Sequence, residues 1–132
     1  MPAVSGGLRE GFFKMEKMTI LRGDETLAAT AWQTTTLFER VKGLLGKDGM
    51  DMDETLILNP CHAVHTFFMK FTIDVVFLNS HCQIIALYPD LKPYRATRIH
   101  LDATHTIELP AGAITQWNLK KGQHLHIRKA HV

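Results

Sequence analysis

The 132-residue sequence predicts a single, mainly β domain of the α+β class: a compact sheet or barrel-like sandwich of short strands, with one capped helix and one short helical turn. Three observations carry that expectation. Short runs of β-branched and aromatic residues recur between polar turns. One segment carries both helix-start and helix-stop chemistry, and a second carries a brief helical turn after a proline. The length is that of one domain, burying about two-thirds of its unfolded surface without needing disulfide staples.

Each element follows from its residues. Residues 1–17, with Pro2, Ser5, Gly6, Gly7 and Gly11, are expected to be a poorly ordered leader, and 18–132 the domain. Thr19, Ile20 and Leu21 precede a polar Arg22-Gly23-Asp24-Glu25 turn, and Leu27, Ala29 and Ala31 then alternate with Ala28, Thr30 and Trp32, the pattern of a β-hairpin. Thr36 followed by Glu39 is a capping box that satisfies two orphan amides. Leu37, Val41 and Leu44 supply the apolar stripe, and Gly46 ends a helix of about two to three turns.

Leu56-Ile57-Leu58 reads as a short buried strand ending at Asn59-Pro60. Val64 to Leu78 is the strongest strand signal, expected as one long strand with a bulge near Lys70 to Thr72. In a strand of that length Phe67, Phe68 and Phe71 are expected in the core; stacking on a base or sugar is the alternative. Asn79 to Cys82 turns the chain into Ile84 to Tyr88, and Pro89 to Ala96 is the longest loop. His100 to Leu109 alternates, Pro110 opens a helical turn through Trp117, and Lys120-Lys121-Gly122 leads to a last strand, His124 to Ile127.

Composition narrows the function classes. Hydrophobic residues at 45% and charged residues at 21% are ordinary globular values, and the formal charge is +2. Residues 1–91 carry 8 basic and 11 acidic side chains, and residues 92–132 carry 7 and 2. That excess falls short of a nucleic-acid-binding surface, so no nucleic-acid partner is expected. No apolar run approaches the ~20 residues of a membrane span, and the first residues lack a secretory signal, which favours the cytoplasm. Two cysteines, Cys61 and Cys82, make no disulfide framework.

Four motifs stand in order: Arg40-Val41-Lys42-Gly43-Leu44-Leu45-Gly46, His65-Thr66-Phe67-Phe68-Met69-Lys70, Ile73-Asp74-Val75-Val76-Phe77-Leu78 and Glu108-Leu109-Pro110-Ala111-Gly112. Leu119 and Gly122 complete the last segment. Together they resemble the prokaryotic family called domain of unknown function 192, over roughly Leu27 to Ile127. The resemblance implies a compact, mainly β fold with one prominent short helix, and no established activity. Envelope association is a family trait that this chain's own signals do not carry. Lys70 is followed here by Phe71-Thr72 where the family often has Asn-Thr.

The ligand-binding candidates are His62, His65, Lys70, Asp74 and Glu108. His62 and His65, with Cys61 adjacent, offer nitrogen and sulfur ligands for a metal such as zinc, and His124 and His126 share one side of a strand. No cofactor is otherwise expected. Asp74 interrupts an apolar run, so burying it demands a cation or several hydrogen bonds; an ion pair with Arg40 is the expected solution. No nucleophile elbow, phosphate loop or dinucleotide glycine pattern occurs. The sequence therefore points to a noncatalytic binding or accessory module that recognises a small polar ligand or a protein partner. The enzyme alternative is a metal-dependent hydrolase using the histidines, and oligomeric state is not legible.

Overall fold

The first hairpin closes where its polar turn predicts. In the computed structural model, which describes residues 15–34 and 47–130, β1 (Glu16–Arg22) pairs antiparallel with β2 (Glu25–Thr34). Gly23 takes φ +61°, the left-handed conformation a two-residue hairpin turn requires at its first position. β1 begins at Glu16, so the last two residues of the expected leader are strand. The predicted helix over Thr36–Gly46, and Arg40 with it, lies outside the described residues.

β2 runs parallel to β3 (Thr55–Leu58), in register from Ala31 opposite Thr55 to Thr34 opposite Leu58. Parallel neighbours need a crossover of a dozen or more residues, and residues 35–54 provide it. Its end is a 3-10 turn, Met52–Glu54, whose Glu54 Oε1 accepts the Asp51 amide at 2.8 Å. The remaining strands are β4 (Ile73–Leu78), β5 (Ile84–Leu91), β6 (His105–Pro110) and β7 (His126–Lys129). They complete a seven-stranded sheet in the order β5-β4-β6-β3-β2-β1-β7, antiparallel except between β2 and β3. A four-residue helix, α1 (Ala113–Gln116), follows β6 after Gly112, which takes φ +94°.

The two edges of that sheet meet. The Leu125 amide donates to the Cys82 carbonyl (2.9 Å), the Ile84 amide to Gln123 (2.8 Å) and the Gly122 amide to Ile84 (2.8 Å). The same chain then pairs with β1 as β7, so residues 122–129 join the β5 side to the β1 side and close the sheet into a barrel. Period-two alternation sorts the apolar residues across its wall. Met18, Ile20, Ala31, Ile57, Val76, Leu78, Ile107 and Leu109 fill the inside with Ile114 and Leu125. Leu56, Leu58, Ile73, Val75 and Phe77 face outward, under Val64, Met69 and Ala103 from two long connections. Every residue of β3 and β4 is consequently buried, which explains why apolar residues fill consecutive positions there except at Thr55 and Asp74.

Two expected strands are shorter than their patterns. His100–Leu109 is strand only from His105. Val64 to Leu78 is not one bulged strand: residues 64–72 form a looped cover over the outer core, with an isolated antiparallel bridge between His65 and Ala96. Tertiary hydrogen bonding overrides β propensity there. The Met69 amide folds back onto the Thr66 carbonyl at 3.2 Å, and Phe68 takes φ +69°. The following connection is correspondingly shorter than expected, because β5 continues through Pro89 to Leu91.

Candidate functional site

Thr66, which has no exposed surface, ties the two connections together. Its hydroxyl donates to the Lys92 carbonyl at 2.6 Å and accepts the Arg95 amide at 3.0 Å. Its own amide donates to the Arg95 carbonyl (2.8 Å), and its carbonyl accepts the Tyr94 amide (3.1 Å). Thr97 repeats the device, since its hydroxyl accepts the Val64 amide at 3.0 Å while its amide donates to the Val64 carbonyl at 2.9 Å. Both loops are therefore held at buried side chains rather than merely resting on the barrel.

What this frame displays is aromatic. Phe67 is 44% exposed, Phe68 70% and Tyr94 57%. Phe68 and Tyr94 meet edge to face at 5.9 Å, Phe67 lies 6.2 Å from Tyr94, and His65 stacks on Phe67 at 5.2 Å. Phe68 and Tyr94 both have positive φ, +69° and +62°. Bulky side chains adopt that conformation only where the surroundings enforce it, at about 1–3 kcal/mol each. Exposed Lys70 and Arg95 flank the cluster in sequence. The core placement expected for Phe67 and Phe68 is thus incorrect: their turn points them at solvent, and only Phe71 of the three packs against the outer core.

The five candidates do not form one site. Asp74 pairs with Leu109 across β4 and β6, and Val75 pairs with Glu108. Cross-strand partners share a face and consecutive residues oppose, so the Asp74 carboxylate points into the barrel while Glu108 points to the outer core. Both are completely buried. Asp74 Oδ1 accepts the Asp90 amide at 2.9 Å, and Oδ2 accepts the Ile114 amide at 2.8 Å. Asp90 sits in a bulge of β5 at φ +55°, and Ile114 is in the first turn of α1 behind a glycine cap that has no side chain. One carboxylate thus fastens a bulge and caps a helix from across the barrel. The hydrogen bonds that burial demands come from backbone amides; the expected partner, Arg40, lies outside the described residues.

His62 and His65 both lie on the outer connection, His62 exposed and His65 half-buried, its Nδ1 within 3.4 Å of the Phe67 amide. No third metal-ligating atom gathers with them among the described residues. The group of three that does converge there is acidic, Asp51, Asp53 and Glu54, and Glu54 is already engaged with the Asp51 amide and with Lys47. His124 and His126 stand at the barrel seam, away from that connection: His124 bridges Gln83 and His126 pairs with Leu21. The histidine with the most developed contacts was not singled out by sequence. His100 Nε2 lies 2.7 Å from Tyr88 Oη, its ring packs 4.6 Å from Phe77, and the Arg98 amide donates to the Tyr88 oxygen at 3.3 Å. Burial first, then the charges of Arg98 and Lys121, hold the His100 pKa below the usual histidine value; burial does the same to His105.

No helix among the described residues is long and apolar enough to cross a membrane. Two solved structures share the fold: a Sinorhizobium meliloti protein described as a candidate transcription regulator (TM-score 0.68, 17% identity, 89% of this chain and 97% of that one) and a Novosphingobium aromaticivorans protein of unknown function (TM-score 0.72, 12% identity, 96% and 99%). An archaeal relative, a UPF0127 protein of Thermococcus sibiricus, is 32% identical over 98 residues, 68% of this chain and 60% of its own length. The model of the uncharacterised family DUF192, described as Uncharacterized ACR, matches residues 18–127. On that match, and on the archaeal relative, the chain belongs to the DUF192 family, for which no activity is established.

Proposed function

We propose that this protein is a noncatalytic binding module whose ligand site is the aromatic platform of Phe67, Phe68 and Tyr94, flanked by Lys70 and Arg95. The observation that carries the reading is the pair of water-exposed aromatic residues held at positive φ on loops locked by Thr66. Strain retained at an exposed apolar side chain does not serve the core; it is accounted for when the ring is held ready for a ligand. Aromatic faces pack on the C–H face of a sugar ring or on a planar ring, and the two cations supply charge-assisted hydrogen bonds to an acid group. The ligand class that fits both features is a small acidic carbohydrate.

The test is calorimetric titration of the protein with a uronic-acid trisaccharide and with its neutral counterpart. Binding of the acidic sugar, weakened at least tenfold in Phe68→Ala and in Tyr94→Ala with folding unchanged, supports the reading. No binding of either sugar, or binding indifferent to both substitutions, refutes it. Ile99 and Leu101, exposed at 70% and 78%, favour a second reading in which a protein partner docks beside His100. That reading predicts a complex abolished by Leu101→Asp and unaffected by Phe68→Ala.

A further inference from the structure

The barrel closes imperfectly at its seam, and the gap has a consistent chemistry. Residues 122–125 bond to the start of β5, whereas 126–129 bond to β1, so the chain changes neighbours between Leu125 and His126. The tips of the β1–β2 and β4–β5 hairpins flank the crossing, leaving a cleft of about 860 Å³. That volume lies within the range of small-molecule sites. Alternation turns buried Leu125 inward and sets His124, His126 and Arg128 on the opposite, exposed side. His81 and Ser80 enter from the β4–β5 tip, and Asp24 is the one carboxylate lining the cleft.

Neighbouring cations are already engaged: Arg22 with Glu25 at 3.0 Å and Lys129 with Glu16 at 3.3 Å. The side chains of His81, His124, His126 and Arg128 have no hydrogen-bond or ion-pair partner among the described residues. Three imidazoles and a guanidinium thus line one cleft with their donors uncommitted. A metal centre is the competing use of histidines, but no three ligand atoms there lie close enough together to hold an ion. A guanidinium beside imidazole N–H groups instead matches an anion presenting several oxygens, which Arg can grip through two parallel bonds.

We infer that the seam cleft, lined by His81, His124, His126 and Arg128, is a second binding site, for a small molecule bearing a phosphate or diphosphate group. It is independent of the aromatic platform, on another part of the barrel. The probe is inorganic pyrophosphate, titrated at fixed pH and ionic strength and followed by two-dimensional amide NMR. Saturable shifts are expected at residues 80–82 and 124–128. Arg128→Ala and the double variant His124→Gln/His126→Gln should each weaken binding tenfold or more, and Phe68→Ala should leave it unchanged. All three cleft substitutions are at exposed positions, and unchanged melting curves confirm that folding is intact. The inference fails if no saturable binding occurs, if the shifts fall elsewhere, if the substitutions have no effect, or if the cleft takes up zinc while ignoring pyrophosphate.

Discussion

Removing the Asp74 carboxylate should destabilise this barrel more than almost any other polar substitution. Its two oxygens are acceptors for the buried amide of Ile114 at 2.8 Å and the amide of Asp90 at 2.9 Å, and the residue has no exposed surface. A hydrogen bond to a charged group contributes about 1.5–3 kcal/mol net, and a buried donor left without an acceptor costs about 1–3 kcal/mol. Asp74→Ala releases both amides and leaves a small void, so the loss should be about 3–5 kcal/mol. At about 4 °C per kcal/mol for a domain of this size, that is a fall of roughly 12–20 °C in Tm. Asp74→Asn keeps one acceptor but turns an NH2 group toward the second amide, and should lose about 2–3 kcal/mol. Urea unfolding followed by circular dichroism measures both. A loss below about 1 kcal/mol in Asp74→Ala, with an unchanged slope, would refute the assignment of this carboxylate to the bulge and the helix turn.

Further expectations follow from the same structure. Thr66→Val keeps the shape but strips the hydroxyl from the Lys92 carbonyl and the Arg95 amide, and should lose about 2–3 kcal/mol while speeding amide exchange at residues 92–97; unchanged exchange there would show that other contacts hold the loops. Phe68→Gly should relieve positive-φ strain, leaving stability unchanged or raised by up to about 1 kcal/mol, yet abolish ligand binding; a marked loss of stability would mean that Phe68 is structural. His100 and His105 have folded-state pKa values below the usual 6.5. As pH falls through 6.5 the unfolded chain therefore takes up protons first, and stability declines until the folded-state values are passed. Melting curves from pH 7.5 to 5 should show that decline, and His100→Asn should flatten it; an identical profile in the variant contradicts the assignment.

What could be read in advance differs along the chain for physical reasons. The Gly23 hairpin and the largely apolar run of β4 were legible because turn chemistry and burial on both faces are local properties of the residues. Asp74 announced its need for partners by interrupting that run, but its partners were backbone amides, which have no sequence signature. Residues 64–72 alternate like a strand, and only the long-range bonds of Thr66 turn them into a loop. Nothing at Phe68 or Tyr94 reveals a left-handed backbone before the loops are assembled, so the platform was missed although His65 and Lys70 beside it were singled out. The seam cleft was half legible: His124 and His126 were placed on one side of a strand, but the expected strand stopped one residue short of Arg128, and His81 reaches the cleft only through barrel closure.

The central claim is that the loops carrying Phe67, Phe68 and Tyr94 are where the ligand binds. Amide NMR of the protein titrated with the uronic-acid trisaccharide tests it residue by residue. Saturable shifts concentrated at 65–70 and 92–96 are predicted, and they should be lost in Tyr94→Ala. Shifts confined to other parts of the barrel, or none at concentrations where the sugar is shown to bind, would contradict it.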